Sequence, residues 1–115
     1  MAIDYTGYCA EPLDIARRRI EVARREHPEW FDHAVCLYDP HPPGPFTVEL
    51  AREVGIEARC SFLLSVNDKQ RLDLMDAAID HLYAVFPAGT LRIARDSKVF
   101  GPGLMAQRDA RERGV

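Results

Sequence analysis

The chain has 115 residues, of which 47% are hydrophobic and 29% are charged, and its formal net charge is −3. This composition is typical of a single folded domain over residues 1–115 and excludes an intrinsically disordered chain. The slightly acidic total argues against a protein that binds nucleic acid or membrane surfaces through its overall charge.

The cysteines and the N-terminal segment indicate a cellular compartment. Cys9, Cys36 and Cys60 are an odd and widely spaced set, whereas a disulfide framework needs pairs. The N-terminus lacks the basic and apolar segments of a secretory signal, and no stretch approaches the roughly 20 apolar residues that cross a bilayer. The sequence therefore predicts a cytoplasmic protein with free thiols and no membrane contact.

The N-terminal third predicts a strand followed by an arginine-rich helix. Residues 2–8 form a short candidate strand, and Pro12 suits the first turn of a helix. The helix should end near His27, because Pro28 disfavours helical geometry in the residue before it. Its apolar residues trace one face, and another face gathers Arg17, Arg18, Glu21, Arg24 and Arg25.

Residues 28–38 are compatible with either a helix or a strand. Pro28 suits a helix start, and Trp30 and Phe31 would then lie in its first turn. The run from Ala34 to Tyr38 would serve equally well as a buried strand, because periodicity does not distinguish the two in a short apolar segment. We favour a helix over 28–38.

The middle of the chain predicts a loop and a short helix. Residues 39–45 contain four prolines, which hold the backbone extended. Thr47 suits the N-terminal cap of a helix over 48–54, and Gly55 suits the left-handed position that ends it.

The clearest pattern is a strand followed by an amphipathic helix. Between Ile56 and Val66 every second residue is apolar, which is the period of a strand with one buried face, and Leu63 is the exception on the polar face. Apolar residues then recur at steps of three and four, as on a buried helix stripe: Leu72, Met75, Ile79, Leu82 and Phe86. A strand over 90–95 follows, and if both strands lie in one sheet with the helix crossing between them, they are parallel and the connection is right-handed.

These elements predict an α+β fold. We expect a small mixed sheet of three to four strands covered by a long amphipathic helix, with the N-terminal helices on the other side. The second face of the sheet needs those helices or a second subunit as its cover.

One segment resembles a known family. Residues 47–56, Thr-Val-Glu-Leu-Ala-Arg-Glu-Val-Gly-Ile, resemble the first helix and turn of a helix-turn-helix DNA-binding family. The resemblance rests on positions used for packing and for the tight turn: Leu50, Ala51, Val54, Gly55 and Ile56. It implies a recognition helix after the turn and a DNA-binding regulator that acts through residues 47–64. A capped helix that runs into a strand is the alternative.

The sequence contains no arrangement typical of catalysis, such as a nucleophile elbow or a glycine-rich phosphate loop. His33, Cys36, His41 and Cys60 are candidate zinc ligands by residue type, but only His33 and Cys36 have the close spacing of a structural zinc site. We therefore predict no metal and no cofactor, and we favour a protein that is not an enzyme.

The preferred interpretation is a small cytoplasmic interaction or regulatory module that binds a protein partner or a second copy of itself. The candidate contact residues are Arg17, Arg18, Arg24, Arg25, Trp30 and Phe31. Arginine guanidinium groups bind carboxylates and phosphates through paired hydrogen bonds. Ion pairs with nearby glutamates on the same helix would also account for these arginines. The aromatic residues predict a homodimer centred on Trp30. The alternatives are a small enzyme or small-molecule-binding protein with a pocket between helix and sheet, and the DNA-binding regulator.

Overall fold

The structure, a computed structural model, describes residues 3–31, 35–67, 72–95 and 98–101. Five strands form one sheet in the order β2-β3-β1-β4-β5, and every neighbouring pair is antiparallel. The elements in chain order are β1 (Ile3–Cys9), α1 (Leu13–Glu26), α2 (Pro28–Phe31), β2 (Val35–Leu37), α3 (Pro45–Glu53), β3 (Cys60–Val66), α4 (Leu72–Val85), β4 (Leu91–Arg95) and β5 (Lys98–Phe100).

One face of the sheet, here called the helix face, carries the main core. Alternate residues of β3 are buried on it, because successive side chains of a strand project to opposite faces. The predicted packing of strand on amphipathic helix is confirmed, since both contribute to a single buried cluster that includes Phe62, Leu64, Met75, Ile79 and Leu82. The strand is shorter than predicted, because it begins at Cys60 and Ile56 packs in a different cluster.

The N-terminal helix lies on the same face as α4, so the prediction that it covers the other face is wrong. Ala16, Ile20 and Ala23 of α1 are fully buried in the same cluster as the α4 residues. The opposite face, here called the α3 face, is covered by α3 instead. A second, smaller cluster joins Ala51 of α3 to Tyr8 of β1, Ala94 of β4 and Ile56, which lies between α3 and β3 in the chain.

The sheet has five strands and is antiparallel, whereas three to four strands in a mixed sheet were predicted. β1 lies between β3 and β4 and runs antiparallel to both of them. β3 and β4 therefore point in the same direction but are not neighbours. The two strands are therefore parallel as predicted, with α4 between them in the chain, but they do not pair with each other because β1 lies between them.

Residues 28–38 combine both predicted states. α2 ends at Phe31, and Val35–Leu37 pairs with β3 as the edge strand β2. A helix through residue 38 is therefore wrong at its C-terminal end, because backbone pairing with β3 decides the conformation of an apolar segment that periodicity leaves open.

The segment that resembles a helix-turn-helix contains the expected helix and turn but not the expected second helix. α3 starts at Pro45 rather than at residue 48, and Gly55 adopts the left-handed conformation with φ of 86°. Cys60–Val66 is then a strand at the place where a recognition helix would lie. The DNA-binding alternative therefore lacks its essential element. Separately, no helix in the described part of the chain is long and apolar enough to span a membrane.

Candidate partner-binding surfaces

The predicted arginines of α1 divide into two groups. Arg17, Arg18 and Arg25 are exposed on the outer surface of the helix. Arg24 is turned toward the edge of the sheet, where its guanidinium donates to the Leu37 carbonyl and forms an ion pair with Asp39 at 2.8 Å. Arg24 therefore ties α1 to β2, and three of the four predicted arginines remain available to a partner.

Trp30 and Phe31 are used within the fold. The Trp30 ring stacks on His27 with centroids 3.8 Å apart and nearly parallel planes, and the His81 ring meets both rings edge-on. Phe31 packs against the main core. Both aromatic residues thus close one end of the layer formed by α1 and α4, and they are half-buried rather than openly exposed.

A shallow depression of 540 Å³ runs between α1 and α4 on the outer surface of this layer. Its apolar wall includes Val22 and Val85, and its polar edge includes Arg18 and His81. Burial lowers the pKa of His81, and the nearby His27 adds to this effect. The depression lies between two helices, so it is not the pocket between helix and sheet that the enzyme alternative predicts.

The α3 face carries a row of side chains that crosses the whole sheet, in which Ala94 is covered by α3 and the others are exposed or half-exposed. Thr6 pairs with Leu63 on one side and with Ala94 on the other, and Ala94 pairs with Val99. The Tyr38 amide donates to the Leu63 carbonyl at 3.0 Å, which extends the same row past the end of β2. Since paired residues share a face, these five residues form a continuous band, which we call the cross-strand row.

Exposure on the two sides of the protein is unequal. Among the described residues, five large apolar side chains are exposed, and only Val22 belongs to the α1–α4 layer, at 39%. The other four lie on the α3 face: Phe46 at 72%, Tyr38 at 50%, Val99 at 41% and Leu63 at 36%. Apolar exposure is therefore concentrated on the face that α3 covers incompletely.

α3 and the cross-strand row enclose a groove. Phe46, Leu50 and Glu53 share one stripe of α3, because they are spaced four and three residues apart. The Phe46 end, a depression of 380 Å³, also contacts Thr6 and Leu63. The Glu53 end, of 440 Å³, includes Asp4 and Arg95 and shares Thr6, Tyr8 and Leu50 with the first depression. The groove is therefore apolar at one end and charged at the other.

The charged end of the groove contains a short hydrogen bond and a carboxylate that acts on Tyr8. The Ser65 hydroxyl donates to Asp4 Oδ1 at 2.6 Å across the pairing of β1 with β3. Burial raises the pKa of Tyr8, and the negative charge of Glu53 raises it further. Glu53 thus acts electrostatically on the centre of the groove, where a bound basic group would meet a favourable field.

The candidate zinc ligands are not brought together. Cys36 pairs with Ser65 and therefore projects toward the α3 face, while Cys60 is fully buried on the helix face. His33 lies outside the described residues. Within residues 3–31, 35–67, 72–95 and 98–101, no three His, Cys, Asp or Glu side chains form a group that could hold a metal ion.

The cross-strand row was missed at the level of sequence, although one signal pointed to it. Leu63 is the single apolar residue on the otherwise polar face of β3. Tyr38 and Val99 come from segments whose strand register no periodicity determines. Only the pairing of β2, β3, β1, β4 and β5 places these residues side by side.

The chain has clear relatives. Residues 1–96 match the protein family described as CDI System Immunity Component. Immunity protein CdiI-2 of Burkholderia pseudomallei (strain 1026b) is 31% identical over 99 residues, which cover 85% of this chain and 97% of that protein. A chain of the solved CdiA-CT/CdiI toxin and immunity complex from Burkholderia pseudomallei superposes with a TM-score of 0.77 at 26% identity, over 85% of this chain and 94% of that one. The family match covers residues 1–96, and CdiI-2 is similar over 85% of this chain and 97% of its own length. This chain therefore belongs to the family of CDI system immunity components.

Proposed function

We propose that this chain is an immunity protein that neutralises a toxin by binding it as a protein partner, without a chemical step of its own. The observation that carries the proposal is the family match over residues 1–96. The fold likeness to a chain of a toxin and immunity complex supports it, since that chain is found with a protein toxin. The general prediction of a protein-binding module agrees with this function.

Two surfaces are candidates for the contact. The first is the sequence-predicted helix surface, of which Arg17, Arg18 and Arg25 are exposed while Arg24, Trp30 and Phe31 serve the fold. The second is the α3 face. The comparisons lend no support to the predicted homodimer or to nucleic-acid binding. A cytoplasmic location remains part of the proposal and rests on the three cysteines, which are free in the structure.

Binding and protection test this function together. The probe is the CdiA-CT toxin domain encoded in the same genome as this chain, mixed with the purified protein in a calorimeter and co-expressed with it in cells. We expect one toxin domain bound per chain and normal growth of the co-expressing cells. CdiI-2 of Burkholderia pseudomallei is the matched control, because it shares the family but is 31% identical.

An immunity protein should bind this toxin far more tightly than the control does, because affinity between relatives depends on a few central contact residues. Absence of a complex at micromolar concentrations, together with unprotected growth, would overturn the proposed function.

A further inference from the structure

The second layer of this fold is incomplete, and its open part has a definite size. β1 has seven residues and is therefore about 23 Å long, whereas one helix is about 10 Å wide. α3 crosses the strands near Tyr8 and Ala94, which it buries. The sheet beyond it, from the Thr6 row to the Asp4 row, has room for about one more helix-sized element beside α3.

The open part of the sheet is bordered by exposed apolar side chains, which suit an apolar partner. Sheets bury an apolar face against a second layer, and a monomer normally leaves few large apolar side chains together in solvent. Here Phe46 and Leu63 are exposed at one end of the groove, and the exposed Tyr38 lies next to Leu63 in the cross-strand row. Aromatic residues of this kind contribute strongly to the energetic centre of protein interfaces.

The other end of the groove carries excess negative charge, which favours a basic partner. Asp4 and Glu53 line it together with Arg95, which leaves an excess of one negative charge there. Glu49 is also exposed on α3, while Arg52 is engaged with Glu57 at 2.8 Å. A partner with a basic side chain at this end gains a complementary contact, whereas a partner with an acidic one is repelled.

We propose that the toxin partner docks on the α3 face, where it lays an apolar, helix-sized element over the cross-strand row and directs a basic side chain toward Asp4 and Glu53. This inference rests on the proposed function and adds the surface to it. The partner completes the layer that α3 begins, so the contact is an extension of the fold's own packing. The exposed arginines of α1 then lie outside the contact.

Two variants and two controls test the surface, with calorimetric binding to the toxin domain defined above. The double variant Phe46→Ala and Leu63→Thr removes the apolar end, and Asp4→Asn with Glu53→Gln removes the charges. Val22→Thr is the matched control, because Val22 is exposed to nearly the same extent as Leu63 but lies on the opposite side. The triple variant of Arg17, Arg18 and Arg25 to alanine represents the sequence-predicted surface.

We expect the apolar variant to weaken binding by roughly 10- to 100-fold, which is the range of central interface residues. The charge variant should weaken it by roughly 3- to 10-fold and reduce its dependence on salt, since exposed charges are screened. Both controls should bind within about twofold of the wild-type protein. Thermal melts of each variant show whether the fold is intact, and Thr is chosen at 63 because it suits a strand.

The outcomes separate this inference from the proposed function. If the wild-type protein binds and the arginine variant alone loses affinity, the function stands and the α3 face is wrong. If sedimentation shows a wild-type dimer that the apolar variant dissociates, a second copy occupies the face and the inference is also overturned. If the wild-type protein does not bind the toxin domain, both the function and the surface fall.

Discussion

The ring of Phe62 lies directly against the backbone of Gly7, its register partner in the pairing of β1 with β3. A Cβ atom on Gly7 would stand 2.3 Å from Cζ of that ring, which is well inside contact distance. Phe62 is buried and stacks on Phe86 with ring centroids 6.0 Å apart, so the ring has little space to move. The central strand therefore needs a residue without a side chain at position 7.

Gly7→Ala should lower the free energy of unfolding by about 1–3 kcal/mol, as overpacking does in a filled core. Urea denaturation followed by circular dichroism measures this change. Gly101→Ala is the control, because no atom of the described residues lies within 4 Å of the Cβ that it adds. Equal stability of the two variants would show that the Phe62 ring is free to move.

Ile79→Ala should lower the free energy of unfolding by about 2–5 kcal/mol, because it leaves a cavity between α4 and the sheet. Ile79 is fully buried in the main core. Val22→Ala on the surface of α1 should cost much less. A loss below about 0.5 kcal/mol for Ile79→Ala would mean that α4 does not pack on β3 as described.

The three thiols should differ in reactivity. Cys9 and Cys60 face each other across β1 and β3 and are fully buried, while Cys36 is half-exposed. A hydrogen bond from the Cys60 thiol lowers the pKa of Cys9, and the same contact raises the pKa of Cys60. Burial nevertheless limits access to both thiols.

A thiol reagent that absorbs on reaction should therefore label Cys36 quickly in the native protein and the other two only on unfolding. Denatured protein should give three equivalents. The variant Cys36→Ser serves as the control, since it should remove the fast phase. Three fast equivalents in the native state would contradict the burial of Cys9 and Cys60.

Arg24→Ala should destabilise the fold by about 1 kcal/mol, because it removes a charged hydrogen bond to the Leu37 carbonyl at the sheet edge. Asp39→Asn should change stability little, since Asp39 is largely exposed and its ion pair with Arg24 is screened by solvent. Chemical denaturation of both variants measures the difference. The opposite order would show that the ion pair, and not the backbone contact, holds α1 to β2.

His81 should make stability depend on pH. Burial lowers the pKa of His81 below its ordinary value of 6.5, His27 adds to this effect, and Glu26 and Glu29 oppose it. Nε2 of His81 lies 3.2 Å from a carboxylate oxygen of Glu26, although their geometry falls short of a hydrogen bond. The unfolded chain therefore takes up a proton near pH 6.5 while the folded protein stays neutral at this side chain.

The stability that His81 contributes is thus fully present above pH 6.5 and is lost as the pH falls through the folded pKa. The variant His81→Gln should show a smaller loss of stability between pH 7.5 and pH 5 than the wild-type protein. His41→Gln, at an exposed histidine, is the control. Identical slopes for all three proteins would show that His81 is not the group responsible.

Local pattern in the sequence determined the elements of the main core. The alternation that ends at Val66 and the stripe that includes Met75, Ile79 and Leu82 are consequences of strand and helix geometry, so they can be read without a partner. The left-handed Gly55 is equally local, whereas the predicted cap at Thr47 is wrong, because α3 begins at Pro45 with Gly44 as its N-terminal cap. For the binding surface, the sequence indicated the arginines of α1, Trp30 and Phe31, and its one relevant signal for the α3 face was the exception Leu63.

Tertiary structure alone decided the order of the strands, the side on which each helix packs, and the identity of the exposed face. β1 is the central strand because it pairs with β3 along one edge and with β4 along the other, which satisfies the backbone hydrogen-bonding groups on both of its edges. Tyr38, Leu63 and Val99 become neighbours only through that pairing, since residues far apart in sequence share a row when their strands share a register. Trp30 was assigned to an interface from its residue type, and only the tertiary structure places its ring on His27 and in edge-on contact with His81 of α4, a residue distant in sequence.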